Sequence, residues 1–172
     1  MGRSRTILPG DYVLERRRPS ALTTAEIDAV VAILHQGGAV NPRSARQEMP
    51  QAKTVVLVRK DKAIVGVGAV KRPRPSYARQ KQSDSGHSFD QDLCELGYVA
   101  VACGHRGHHL SSFIADALLA RYYRDLFATT DKPEMKHVLK KRGFEQCGRE
   151  WAGRGGELSL WLLERRAQNA RR

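Results

Sequence analysis

The stretch ELGYVAVACGHRGHHLSSFIADALLARYY, Glu95 to Tyr123, constrains the chain more than any other. A β-rich apolar run leads into a turn crowded with Gly104, His105, Arg106, Gly107, His108 and His109. Leu110, Phe113, Ile114, Ala117 and Leu118 then recur at helical spacing. Such an apolar stripe must dock on something, and the strand before it supplies the surface, so the pattern predicts a layered α/β fold.

The rest of the chain extends that fold. DYVLERRR (11–18) reads as a first strand, and TTAEIDAVVAILHQGG as a helix capped at Thr23 or Thr24 and stopped by Gly37 and Gly38. Residues 42–49 add a short helical turn, and 53–72 form two strands across KDK, the clearest hairpin signal. The GVG at 66–68 is half of a dinucleotide fingerprint, but no helix follows it, so it is not a nucleotide site. Residues 73–92 read as a long polar loop rich in Pro, Ser and Gln, placed to overhang whatever the next strand binds. A strand at 125–130, a helix at 132–144 led by Pro133 and stopped by Gly143, and two strands around AGRGG close the chain. The expectation is one domain over 1–172, with a single mixed central sheet, flanking helices and basic tails.

Three readings compete for the His-rich turn. A metal site has permissible ligands in Cys103, His105, His108 and His109, with Cys94 upstream, but Cys103-x-His105 is too tight for structural zinc and no second pair completes a tetrahedron. A polar turn without a task is the plainest reading. An anion cradle fits best: a helix start offers unpaired N–H groups and partial positive charge, Gly107 permits a sharp turn, and Arg106 adds a cation.

Composition bears on partners. Thirty Lys and Arg against 18 Asp and Glu give a formal charge of +12, with arginine-rich ends at 15–18 and 164–172. That balance favours an anionic ligand or a nucleic acid, through long-range steering and phosphate contacts. The three cysteines have no framework spacing and suit reduced thiols in a cytoplasmic protein. No apolar run approaches the roughly 18 residues that span a bilayer, so no membrane role is expected. MGRSRT superficially fits a myristoylation pattern at Gly2. The last strand, ELSLWLLER, would expose Trp161 to a second copy if it were a free edge, which leaves a homodimer open.

YVAV followed by HRGHHLSSFIADALL resembles motif A of the GNAT N-acetyltransferases, a V-x-V strand, a short loop, then R-G-x-G-L-G and a helix. LFATTDKPEMKHVLKKRGFE resembles the family's next strand and helix, which ends Y-x-x-x-G-F. The resemblance covers about 95–163. It implies an acyl-CoA donor, acetyl-CoA first of all, and an amine acceptor. The backbone of Val99, Ala100 and Val101 would pair with the pantetheine arm, and the amides of Arg106, Gly107, His108, His109, Leu110 and Ser111 would take the pyrophosphate. Lys132, where the family commonly has asparagine, joins the cofactor-binding set. Glu95 matches in position a strand glutamate that serves as general base, and by strand alternation it shares a face with Val99 and Val101; a solvated strand-end carboxylate is the equal alternative. His109 and Ser111 replace family glycines, and Leu139 replaces the tyrosine that protonates the departing thiolate. The acid is therefore unassigned: Tyr98, which joins Glu95 in the catalytic set, Tyr122, Tyr123, Cys103 or solvent could serve, and many members of the family need no dedicated acid. Two further readings share the fold: an enzyme acting on a DNA base or an aminoacyl-tRNA, and a catalytically silent binding module.

Overall fold

The computed structural model describes residues 4–38 and 40–165. The C-terminal basic run from residue 166 and the acylation-type Gly2 lie outside the described residues. Among the described residues, eight strands form one open mixed sheet flanked by five α-helices. In chain order these are β1 (Ser4–Leu8), β2 (Tyr12–Arg17), α1 (Thr24–Gln36), α2 (Pro42–Glu48), β3 (Thr54–Lys60), β4 (Ala63–Lys71), α3 (Pro75–Ser85) and β5 (Cys94–Val101). Then come α4 (Leu110–Leu119), β6 (Leu126–Thr130), α5 (Pro133–Lys140), β7 (Glu145–Ala152) and β8 (Glu157–Leu163). The strand order is β1-β2-β3-β4-β5-β6-β8-β7, so β1 and β7 are the edges.

The chain divides into two compact units: residues up to Lys71 with Gly97–Arg121, and Arg72–Leu96 with the residues from Tyr122 onward. In the first unit, β1 to β4 pair antiparallel in sequence order. Val30, Ile33 and Leu34 of α1 and Ala45 of α2 pack with Met49 on Val55, Leu57, Val67 and Ala69. Alternation puts Gly66 and Gly68 on the other face. There a Cβ at Gly68 would lie 2.3 Å from Ile114 Cγ2 and 3.1 Å from Leu118 Cδ1. The GVG is therefore the seat on which α4 docks, and its missing side chains let the helix approach. Thr23 and Glu26 form a reciprocal capping box at the start of α1. Glu26 also joins a cluster of ion pairs unmarked by periodicity. It meets Arg17 Nη1 at 2.5 Å and Arg59 Nη2 at 2.7 Å, while the buried Glu15 meets Arg5 at 2.9 Å and Arg59 at 3.3 Å.

In the second unit, β6 runs parallel to β5 through Cys94–Leu126 and Glu95–Phe127, and β8 lies antiparallel between β6 and β7. Trp161 is buried, because β8 is interior; the free-edge reading of that strand is corrected. The expected long loop is corrected too. Pro75 opens α3, an 11-residue helix, and Gly86 closes it in the left-handed conformation at φ 68°. Tyr77 packs with Phe127, Leu160, Leu162, Phe89, Leu93, Cys147 and Trp151. β1 is a further addition, pairing Ser4–Leu8 with Tyr12–Arg16 ahead of the strand expected to be first.

Candidate active site

In the first unit, β5 ends at Val101 and the chain turns through Cys103–His105 into α4. The amides of His105 and Arg106 are spent on Ala102 and Cys103 oxygens, and those of Ser112 and Phe113 on the His109 carbonyl. Between them, the N–H groups of Gly107, His108, His109, Leu110 and Ser111 have no hydrogen-bond partner among the described residues. Five consecutive free donors at a helix start make a concave, partly positive surface suited to an anion. Gly107 has φ 85° and nothing within 4 Å of where a Cβ would be, so the turn is open as well as glycine-dependent.

His109 occupies the N-cap with φ 56° and makes no side-chain cap. The left-handed backbone explains why glycine suits this position; histidine adopts it at a cost of roughly 1–2 kcal/mol. The imidazoles do not gather a metal: among the described residues no three His, Cys, Asp or Glu side chains form a metal-binding group. Instead His105 Nδ1 lies 3.1 Å from the hydroxyl of buried Tyr12, and the His108 ring centroid is 5.4 Å from that of Tyr12. Tyr12 thus supports the turn from below. Arg106 is exposed, with Nε donating to the Val101 carbonyl at 3.4 Å.

Tyr98 is a break in β5. Its φ is 55°, rare for an aromatic residue, so alternation does not carry across it. Tyr98, Ala100 and Ala102 face the α1–α2 core, whereas Val99 lies on the α4 side beside Gly68. The premise that Glu95 shares a face with Val99 and Val101 by unbroken alternation is therefore corrected. The Tyr98 hydroxyl donates to Glu48 Oε2 at 2.6 Å, and Lys71 Nζ sits 4.1 Å from the ring centroid and 3.6 Å from the same carboxylate oxygen. These contacts hold the strained residue. The Tyr98 proton is engaged with α2.

The second unit holds the carboxylate. Glu95 is only 4% exposed, and Tyr77 of α3 donates to its Oε1 at 3.2 Å. One residue earlier, Cys94 is buried beside Tyr122, whose phenol is pushed well up by burial first and by the Cys94 thiol second. Lys132 lies in this unit as the residue before α5, with Nζ 3.6 Å from Asp131. The AGRGG turn covers the pair closely, since a Cβ at Gly155 would be 2.4 Å from Asp131 Oδ2.

The structure thus gathers Val99 to Ser111 in one unit and Glu95 and Lys132 in the other. Sequence reasoning missed Tyr77, Glu48 and Tyr12. Only Tyr77 had a local signal, the Pro75 start and Gly86 stop of its helix; the others meet partners 50 and 93 residues away.

Comparison with family models finds no match, and no curated protein matches either. Solved structures do match. A GNAT family acetyltransferase from Streptococcus agalactiae superposes with a TM-score of 0.64 at 14% identity, covering 87% of this chain and 94% of that one. The ribosomal-protein-alanine N-acetyltransferase from Brucella melitensis gives 0.63 at 19% identity, covering 87% and 98%. A GNAT family acetyltransferase from Elizabethkingia anophelis, solved with acetyl-CoA bound, gives 0.58 at 12%, covering 90% and 99%. A mixed eight-stranded sheet, the turn into α4 and these superpositions lead to one conclusion: the chain has the GNAT acyl-CoA N-acyltransferase fold.

Proposed function

We propose that this protein is an N-acyltransferase that uses acyl-CoA, with acetyl-CoA as the first candidate donor. One observation carries the reading: the five unpartnered amides of Gly107 to Ser111 stand at the turn into α4, in a fold whose solved examples include one with acetyl-CoA bound. The residues fit a pyrophosphate. The donors are backbone groups, so replacing family glycines by His109 and Ser111 leaves each N–H in place. Arg106 supplies a fixed cation beside them.

Bound acyl-CoA would supply an acyl group already activated as a thioester. The chain's own residues would then position and deprotonate. The backbone of Val99, Ala100 and Val101 would hold the pantetheine arm; pairing of β5 with β6 covers only Cys94 and Glu95, so it does not consume these groups. Lys132 would add a cation toward the cofactor, in competition with Asp131. Glu95 would take the proton of the acceptor ammonium, directly or through water, leaving a neutral amine as nucleophile. Its burial supports that role over a solvated surface charge.

The departing thiolate also needs a proton. Tyr98 would have to break its hydrogen bond to Glu48, and the Tyr122 phenol holds its proton tightly. Water therefore serves best as the acid, with Tyr98 acting to hold the strand break. Incubating the protein with labelled acetyl-CoA and a panel of amines tests the function. Label should move to one acceptor class, and far more slowly in Glu95→Gln; label remaining wholly on CoA across peptides, small amines, DNA and aminoacyl-tRNA would refute it.

A further inference from the structure

We propose that α3 is a clamp on the reaction centre and that Tyr77 is the positioning residue for Glu95. The proposal rests on the acyltransferase reading above, in which Glu95 is the base. A carboxylate only accepts hydrogen bonds when ionised, and a buried one needs a donor to hold its side chain in one rotamer. Tyr77 provides that donor at 3.2 Å from Oε1. A base must lie within hydrogen-bond reach of the proton it removes, so fixing its rotamer is part of the catalytic geometry.

The helix that carries Tyr77 is gripped at its other end. One turn on, Lys81 Nζ lies 5.1 Å from the Tyr77 ring centroid and 5.4 Å from that of Trp151, and pairs with Asp84 Oδ2 at 3.3 Å. Arg149 donates to the Asp84 carbonyl at 3.0 Å and to the Ser83 carbonyl at 3.2 Å, meeting the negative end of the helix. At Gly148, φ 70°, a Cβ would stand 2.3 Å from the Ser85 carbonyl oxygen, so the strand touches the helix end backbone to backbone. These contacts come from one place on β7. Its register against β8 shifts between Cys147 and Trp151, and of the residues released from the ladder Gly148 and Arg149 meet α3, while Glu150 pairs with Lys136 of α5 at 2.7 Å. The irregularity in β7 thus holds the C-terminal half of α3, and the helix, a rigid rod, sets Tyr77 on Glu95.

A double-mutant cycle on turnover tests this, using acetyl-CoA, release of free CoA thiol, and whichever amine of a peptide, polyamine and aminoacyl-tRNA panel reacts fastest. Tyr77→Phe keeps the ring and its packing and removes only the hydroxyl. It should lower kcat about tenfold with KM for acetyl-CoA unchanged, and change kcat less than about twofold in a Glu95→Gln background. Arg149→Ala, which loosens the distant anchor, should follow the same pattern more weakly. Equal losses in both backgrounds, or none in either, would overturn the proposal while leaving the acyltransferase reading intact. A wild-type protein that binds CoA yet acylates nothing would overturn the base assignment and this proposal together.

Discussion

On the proposed reading, the two units contribute different kinds of group. In the first, the candidate cofactor site is made almost wholly of backbone: free amides from Gly107 to Ser111 and a turn that requires a positive φ at Gly107 and His109. In the second, it is a side chain, Glu95, held by another side chain from a helix that the quoted motifs do not include. Backbone sites tolerate substitution of the residues around them so long as the path of the chain survives. Side-chain sites do not. This contrast accommodates a histidine at the left-handed position 109, where glycine would be unstrained, while Glu95 and Tyr77 form a specific pair.

The contrast breaks if each unit's variants fail to separate binding from turnover. Glu95→Gln should have the largest effect, lowering kcat about 10²- to 10³-fold while CoA affinity, read by calorimetry, stays within about twofold. Loss of both would mean that Glu95 is structural. Gly107→Val should do the reverse. A branched side chain at φ 85° strains the turn, and CoA affinity should fall about tenfold or more with kcat at saturation little changed. Arg106→Ala should weaken binding by a smaller factor, and less so at high salt.

Away from both sites, the Glu26 cluster predicts acid sensitivity. Burial works to raise the Glu26 carboxyl, but hydrogen bonds from Arg17 and the Thr23 amide, with the charges of Arg17 and Arg59, hold it below its ordinary value. A carboxylate lowered on folding contributes stability that is fully present above its unfolded titration range and is lost as pH falls through the folded value. Glu26→Gln should therefore lower Tm by on the order of 3 °C at pH 7, with the gap to wild type closing as pH drops below the usual carboxylate range. A constant gap would remove the charge from the explanation. Tyr98→Phe should be the smallest perturbation, costing about 1 kcal/mol of stability through the lost bond to Glu48, with turnover within a fewfold of wild type. A turnover loss as large as that of Glu95→Gln would restore Tyr98 as the acid.

What was legible in the sequence follows the same division. The strand, turn and helix from Glu95 to Leu119 were readable because Gly107, Arg106 and the Leu110–Ile114–Leu118 stripe act through local geometry. The hairpin at β3–β4 was readable from β-rich runs around Asp61, which takes the left-handed conformation at φ 53°. α3 was not, because its buried face is thin: Ala78 and Ser85 are buried and Tyr77 partly so, in an otherwise polar helix. Its docking depends on Gly148, Arg149 and Trp151, more than 60 residues away, which no window of sequence joins. The strand alternation assumed from Glu95 to Val99 fails for a related reason. Alternation assumes an unbroken strand, and the positive φ at Tyr98 is stabilised by Glu48 and Lys71 rather than by a glycine that the eye would catch.

The central claim, that the turn from Gly107 to Ser111 is a backbone cradle for acyl-CoA, is tested most directly by CoA titration of the wild type against Gly107→Val and Glu95→Gln. Melting temperature should rise with the logarithm of CoA concentration in the wild type and equally in Glu95→Gln, since the ligand engages only the folded state. The rise should be largely lost in Gly107→Val. No rise at millimolar CoA in the wild type, or an undiminished rise in Gly107→Val, would contradict the claim.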